Sequence, residues 1–129
     1  MPTLNVTTTK LAREKLAKAH AGESALPPIV EIGFGTGGHD VITGDPTEPS
    51  DEVNIVSDEV LRKAIEGYSF PVDTTLRILG ELDYAEANGE GISAIGLYDD
   101  DGDLVALKHT IPRIKTADMK LVIEWDEQF

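Results

Sequence analysis

A chain of 129 residues, 40% of them hydrophobic, has the size and composition of one folded domain, short for a core plus a separate catalytic domain. Twenty-four acids against eleven bases give a formal charge of −13, which disfavours nucleic acid and anionic lipid as partners. With no cysteine, a disulfide framework, a thiolate nucleophile and a thiolate zinc site are all excluded.

Met1 to His20 carries charges every few residues, with no apolar run of signal-peptide length, and no stretch is long enough to span a bilayer. The expectation is a soluble protein made and kept in the cytoplasm before any assembly step. The acids are scattered through the chain rather than gathered in a tail, which reads as a solvated acidic surface.

From Thr8 to Ala21, Leu11, Ala12, Leu16 and Ala19 recur at helical spacing, threonines offer an N-cap and Gly22 a stop, so a helix is predicted. After the breaker stretch Gly22 to Pro28, Ile29, Val30 and Ile32 predict a strand running into Gly33, Gly35, Gly37 and Gly38. His39 to Val53 reads as a long loop, functional or mobile. Ser57 reads as the N-cap of a short second helix, with Val56 and Leu61 as a hydrophobic staple and Gly67 past its end.

Thr74 to Tyr84 alternates, with Leu76, Ile78, Leu82 and Tyr84 on one face, and predicts a half-buried strand. Turns at Asn88-Gly89 and Asp101-Gly102 bound strands Ile92 to Tyr98 and Leu104 to His109, and Met119 to Trp125 alternates again. Short connections between them imply an antiparallel meander. The fold class expected is therefore α+β: a single domain over 1–129, a sheet in the C-terminal half, an N-terminal helix and one short helix.

Gly33, Gly35 and Gly38 satisfy G-x-G-x-x-G, but no helix follows to receive a pyrophosphate, so a flexible turn is expected. Asp99, Asp100, Asp101 and Asp103 around Gly102 look like a calcium loop. Placing Gly102 at the sixth position of an EF-hand, however, puts Leu97 first and Lys108 twelfth, where an Asp and a Glu are needed. A hairpin turn is the better assignment, with adventitious cation binding left open.

His20, His39 and His109 are far apart in sequence, and a metal site would need them to converge with acids such as Asp40 or Asp45. Ser57 lacks a nucleophile-elbow context for a triad, and its capping role suffices. No catalytic residue, cofactor-binding residue or metal ligand is assigned, no cofactor is expected, and the chain is not expected to be an enzyme. The alternative of a small metal- or ligand-dependent enzyme would use His39, Asp40 and Asp45.

Taken in order, the opening helix, Ile32-Gly33-Phe34-Gly35, Asp45-Pro46-Thr47, Asp58-Glu59-Val60-Leu61-Arg62-Lys63, the run Ile95 to Ala106, Pro112 and Lys115 resemble the phage tail-collar fibre family. This is the N-terminal region by which tail fibres of contractile-tailed phages and prophages attach to the baseplate. Ala94 stands where members commonly carry an acid. The resemblance implies a virion structural protein that docks to baseplate or tail proteins, a homo-oligomer with three copies, and a location in the virion tail after assembly in the host cytoplasm. Ending at Phe129, the chain is expected to be a short adaptor, a fibre remnant or a free-standing baseplate component. An assembly chaperone for a longer fibre is a further alternative.

Overall fold

The computed structural model describes residues 5–129. It contains eight strands and one helix among them: β1 (Val6–Thr8), α1 (Lys10–His20), β2 (Ile29–Gly35), β3 (Glu59–Ala64), β4 (Gly67–Val72), β5 (Thr75–Leu82), β6 (Gly91–Asp99), β7 (Leu104–Ile114) and β8 (Leu121–Gln128). The fold is mainly β, which corrects the α+β expectation.

A five-stranded sheet runs β1-β7-β6-β2-β3 and a three-stranded sheet β4-β5-β8, with every pairing antiparallel. The sheets share one core in which Ile32, Phe34, Ile95, Leu97 and Ala106 from the first meet Ile78, Leu82 and Trp125 from the second. Gly80 permits that approach, because a Cβ there would lie 2.5 Å from Cδ1 of Ile32. The far face of the larger sheet carries a second cluster, Val56, Ala94, Tyr98, Leu104 and Leu107. Strand β6 is thus buried on both faces, which accounts for its nearly continuous apolar run.

Two expectations fail for non-local reasons. The short helix after Ser57 is instead β3, whose Leu61 lies opposite Phe34 while Arg62 lies opposite Gly33. Asp58 sits at φ +48, outside the geometry of a helical first turn, and Val56 is a core residue rather than a staple. The meander also fails: β5 pairs with β4 and β8 in the other sheet, so of the four strands expected to form it only β6 and β7 are hairpin neighbours. The connection through Asn88-Gly89 crosses between sheets and is held by Lys115, 1% exposed. Its Nζ donates to Asn88 Oδ1 and to Thr116 O, both at 2.9 Å.

Helix α1 has no buried residue and docks by polar contacts. Thr9 is its N-cap, accepting from the Ala12 N–H at 3.1 Å, and its hydroxyl donates to Leu104 O at 2.6 Å. Gly22, at φ +80, follows the helix end, its N–H bonded to Ala19 O. Among the described residues no helix is long and apolar enough to cross a membrane.

Candidate functional site

The Asp-rich turn between β6 and β7 is where the sequence concentrates charge, and the fold brings a cation to it. Lys15, on the second turn of α1, places Nζ 2.7 Å from Asp99 Oδ2, 3.0 Å from Asp101 Oδ2 and 2.7 Å from Asp103 Oδ2. Asp99 is 2% exposed, and its other oxygen accepts the N–H groups of Asp101 and Asp103. Asn54 completes the cluster: its amide donates to Asp103 Oδ1 at 3.2 Å, and its carbonyl accepts from the Leu104 N–H at 2.9 Å.

Burial works against the Lys15 ammonium, but hydrogen bonds to Asp103, Asp99 and Asp101 outweigh it, and its pKa is raised. The same Lys15 bond holds the Asp103 carboxyl below its ordinary value, against a smaller opposing effect of burial. These three acids are the only group among the described residues whose ligand atoms come within metal-binding reach of one another. One internal ammonium already bridges all three, and what the cluster does chemically is clamp α1 and the segment around Asn54 onto the hairpin.

The glycine-rich stretch has a packing role rather than that of a flexible turn. The N–H groups of Thr36 and Gly37 bond to Asp58 O and Ser57 O, both at 3.1 Å, and a Cβ at Gly37 would meet Asp58 Oδ2 at 2.7 Å. Gly38, at φ +77, lies flat against the His109 ring, where any Cβ would overlap it. The loop beyond is pinned: Asp40 N–H donates to Asp45 O at 2.8 Å, Gly44 N–H to Asp40 O at 2.7 Å and Thr47 N–H to Gly38 O at 2.9 Å.

Of the histidines, His20 is exposed at the end of α1. His39 Nδ1 is 2.9 Å from Ser93 Oγ, and because that hydroxyl donates its proton to Gly37 O, the imidazole is the donor. His109 is buried; Nδ1 faces Thr47 O at 2.9 Å and so carries a proton, while Nε2 is hydrogen-bonded to Ser57 Oγ at 2.8 Å. Ser57, expected only as a helix cap, instead meets His109. They form a serine–histidine pair oriented by a main-chain carbonyl, but neither residue lines the cleft around Lys10 and Asp51, the groove around Leu16 and Phe129 or the cleft around Thr110 and Val122.

His39, Asp40 and Asp45 do not converge on a common point. The Asp40 carboxylate accepts the N–H groups of Ile42 and Thr43, which holds its pKa down, and the Asp45 side chain is exposed. What that Asx-type turn does is display Val41 and Ile42, 90% and 91% exposed, at a hydrogen-bonded tip. A Cβ at Gly44 would lie 3.9 Å from Cδ of Pro112, so the tip sits beside the end of β7, where Ile111 and Ile114 are also exposed.

Three structural partners escaped the sequence reading: Lys15, Asn54 and Ser93. Lys15 reads as one more solvent-facing helical cation, and only its phase on α1, one residue from Leu16, marks it as near the docked side. Comparisons with protein-family models, curated proteins and solved structures give no match to this chain.

Proposed function

We propose that this protein is a non-enzymatic attachment module, a tail-fibre or baseplate structural protein of a contractile-tailed phage or prophage that docks to other tail proteins. The observation that carries docking is the Val41-Ile42 tip, two aliphatic side chains held in water by a hydrogen-bonded turn. The ordered resemblance supplies the identity of the assembly, the virion tail built in the host cytoplasm, and an association of three copies. The competing enzyme built on His39 to Asp45 has no observation in its favour, since two of its three side chains are committed to holding the loop.

The partner is expected to present an apolar pocket with a basic rim. Six of the eleven lysines and arginines are engaged in ion pairs within the chain, namely Arg13, Lys15, Arg62, Lys63, Arg77 and Lys120. With Lys115 buried as well, the surface left to a partner is strongly anionic.

The test is co-purification with the tail and baseplate proteins encoded beside this chain, together with its mass in solution by light scattering. Val41→Asp with Ile42→Asp should abolish co-purification and leave the urea midpoint unchanged. Undiminished co-purification of that double variant removes the tip from the interface. Failure of every neighbouring tail protein to associate with the unaltered chain overturns the docking function.

A further inference from the structure

A groove of about 450 Å³ lies where the start of β7, α1, the segment Leu26 to Ile29 and the facing ends of β5 and β8 come together. Its walls are apolar, with Leu16, Leu26, Pro28, Leu76 and Phe129 among them, and Leu16, Leu26 and Phe129 remain exposed to water. It lies at the opposite end of the eleven-residue β7 from the Val41-Ile42 tip, so the two surfaces are separate.

One residue in this groove does not fit an ordinary core. Glu127 stands opposite Leu76 in the β5–β8 ladder, two residues from Trp125 and hence on the same face, which is the face turned to the core. Oε1 accepts from Trp125 Nε1 at 2.7 Å, and no cation among the described residues pairs with the carboxylate. Burial raises its pKa, against the opposing Trp125 bond. The two cations on the groove wall are already taken, Arg13 by Asp51 and Lys15 by the Asp cluster. A carboxylate at such a position is costly, and an apolar residue would cover the groove floor at less cost.

We infer that this groove receives a short apolar segment of a partner protein carrying one lysine or arginine, whose cation pairs with Glu127 while its aliphatic neighbours cover Leu16, Leu26 and Leu76. The inference deepens the docking function by naming the partner's chemistry. An acidic domain that engages most of its own bases internally is complemented by a basic partner, and Glu127 is the half-buried carboxylate of this groove, unpaired among the described residues, where such a cation would sit. The groove is of a size for a few side chains rather than a whole domain face.

Trp125 is the only tryptophan of the chain and donates to Glu127, so its emission reports on the groove directly. The probes are two capped pentapeptides, acetyl-Ser-Leu-Arg-Leu-Ser-amide and the same peptide with norleucine in place of arginine. The arginine peptide should shift Trp125 emission saturably, with an affinity at least tenfold above that of the norleucine peptide. Glu127→Gln retains an acceptor for the indole N–H. It should weaken the arginine peptide about tenfold, erase the preference, and leave the urea midpoint at or above that of the unaltered chain.

Equal binding of the two peptides, full binding of the arginine peptide to Glu127→Gln, or no response to either peptide overturns the inference. Self-association of the unliganded chain that Glu127→Gln abolishes assigns the groove to a second copy and overturns it too. None of these outcomes touches co-purification through Val41 and Ile42. Loss of all tail-protein association with peptide binding intact would sink the docking function alone.

Discussion

Replacing Lys15 by Met removes the cation from three carboxylates while keeping most of the side chain's apolar stem. Asp99 is 2% exposed and Lys15 17%, so their pairing falls in the class where removing one partner costs about 3–5 kcal/mol. Asp101 is 60% exposed and shares the ammonium, so solvent screens part of the repulsion left behind, and a loss of about 3 kcal/mol is expected. With a urea dependence of about 1.5–2 kcal/mol per molar, the midpoint moves down by about 1.5–2 M.

Trp125 fluorescence during urea unfolding provides the assay. Asp99→Asn, which retains an acceptor for the Asp101 and Asp103 N–H groups, serves as the cycle partner. The double variant should recover about 1–2 kcal/mol relative to additive losses. A midpoint change below about 0.3 M for Lys15→Met, or strict additivity with Asp99→Asn, would show that the clamp contributes nothing.

The acid limb carries the same logic. Because the native pKa of Asp103 lies below its unfolded value, its contribution is complete above about pH 4 and is lost as pH falls through the native pKa. Lys15→Met should flatten that limb. Lys15 itself, with a raised native pKa, contributes fully below about pH 10.4 and loses its effect only in stronger alkali.

Four further outcomes follow from the geometry. Calcium at 10 mM should stabilise Lys15→Met by about 1.4 kcal/mol if the emptied carboxylate cluster binds it at about 1 mM, and should leave the unaltered chain unmoved in a thermal-shift assay. Gly38→Ala, at φ +77 and against the His109 ring, should cost about 3 kcal/mol or more in urea unfolding, far above an ordinary glycine substitution. Ser57→Ala should cost about 1 kcal/mol through its lost bond to His109, and a fluorophosphonate should leave no adduct at Ser57 by peptide mass spectrometry; stoichiometric labelling would refute the non-enzymatic assignment. Tyr98→Phe should cost about 2 kcal/mol, because the buried hydroxyl accepts from the Val56 N–H at 2.9 Å and donates to Glu59.

The elements legible in the sequence are those whose signals are local. The capping Thr9, the strand entering Gly33, and the apolar strands flanking Asp101-Gly102 each carry their geometry within a few residues. The second helix was misread because Ser57, Leu61 and Gly67 mimic helix punctuation. What decides their conformation is the free edge of β2, far back in the chain, as the pairing of Phe34 with Leu61 shows. The three-stranded sheet was illegible for the same reason: β5 finds its partner in β8, with Leu82 opposite Leu121, across two strands of the other sheet. In the candidate site, the Asp cluster was read correctly as a turn. Its cation was missed because Lys15 and Asp99 are separated by 84 residues.

These long separations explain why the hairpin is central to the molecule. Strands β6 and β7 receive β2 and β1 on either side, Thr9 bonds to Leu104, and Lys15 and Asn54 converge on Asp99 to Asp103. A polar clamp here lets a helix without a single buried residue stay docked, and docking that helix forms one wall of the groove that exposes Glu127. The opposite end of β7 supports the Val41-Ile42 tip through Pro112, Gly38 and His109. The same strand thus braces two surfaces of different chemistry, one an apolar projection and one an apolar groove with an acid in its floor. Under the docking function proposed above, such a division would let two neighbours be held at once, since each contact can be lost or altered without repacking the core between them.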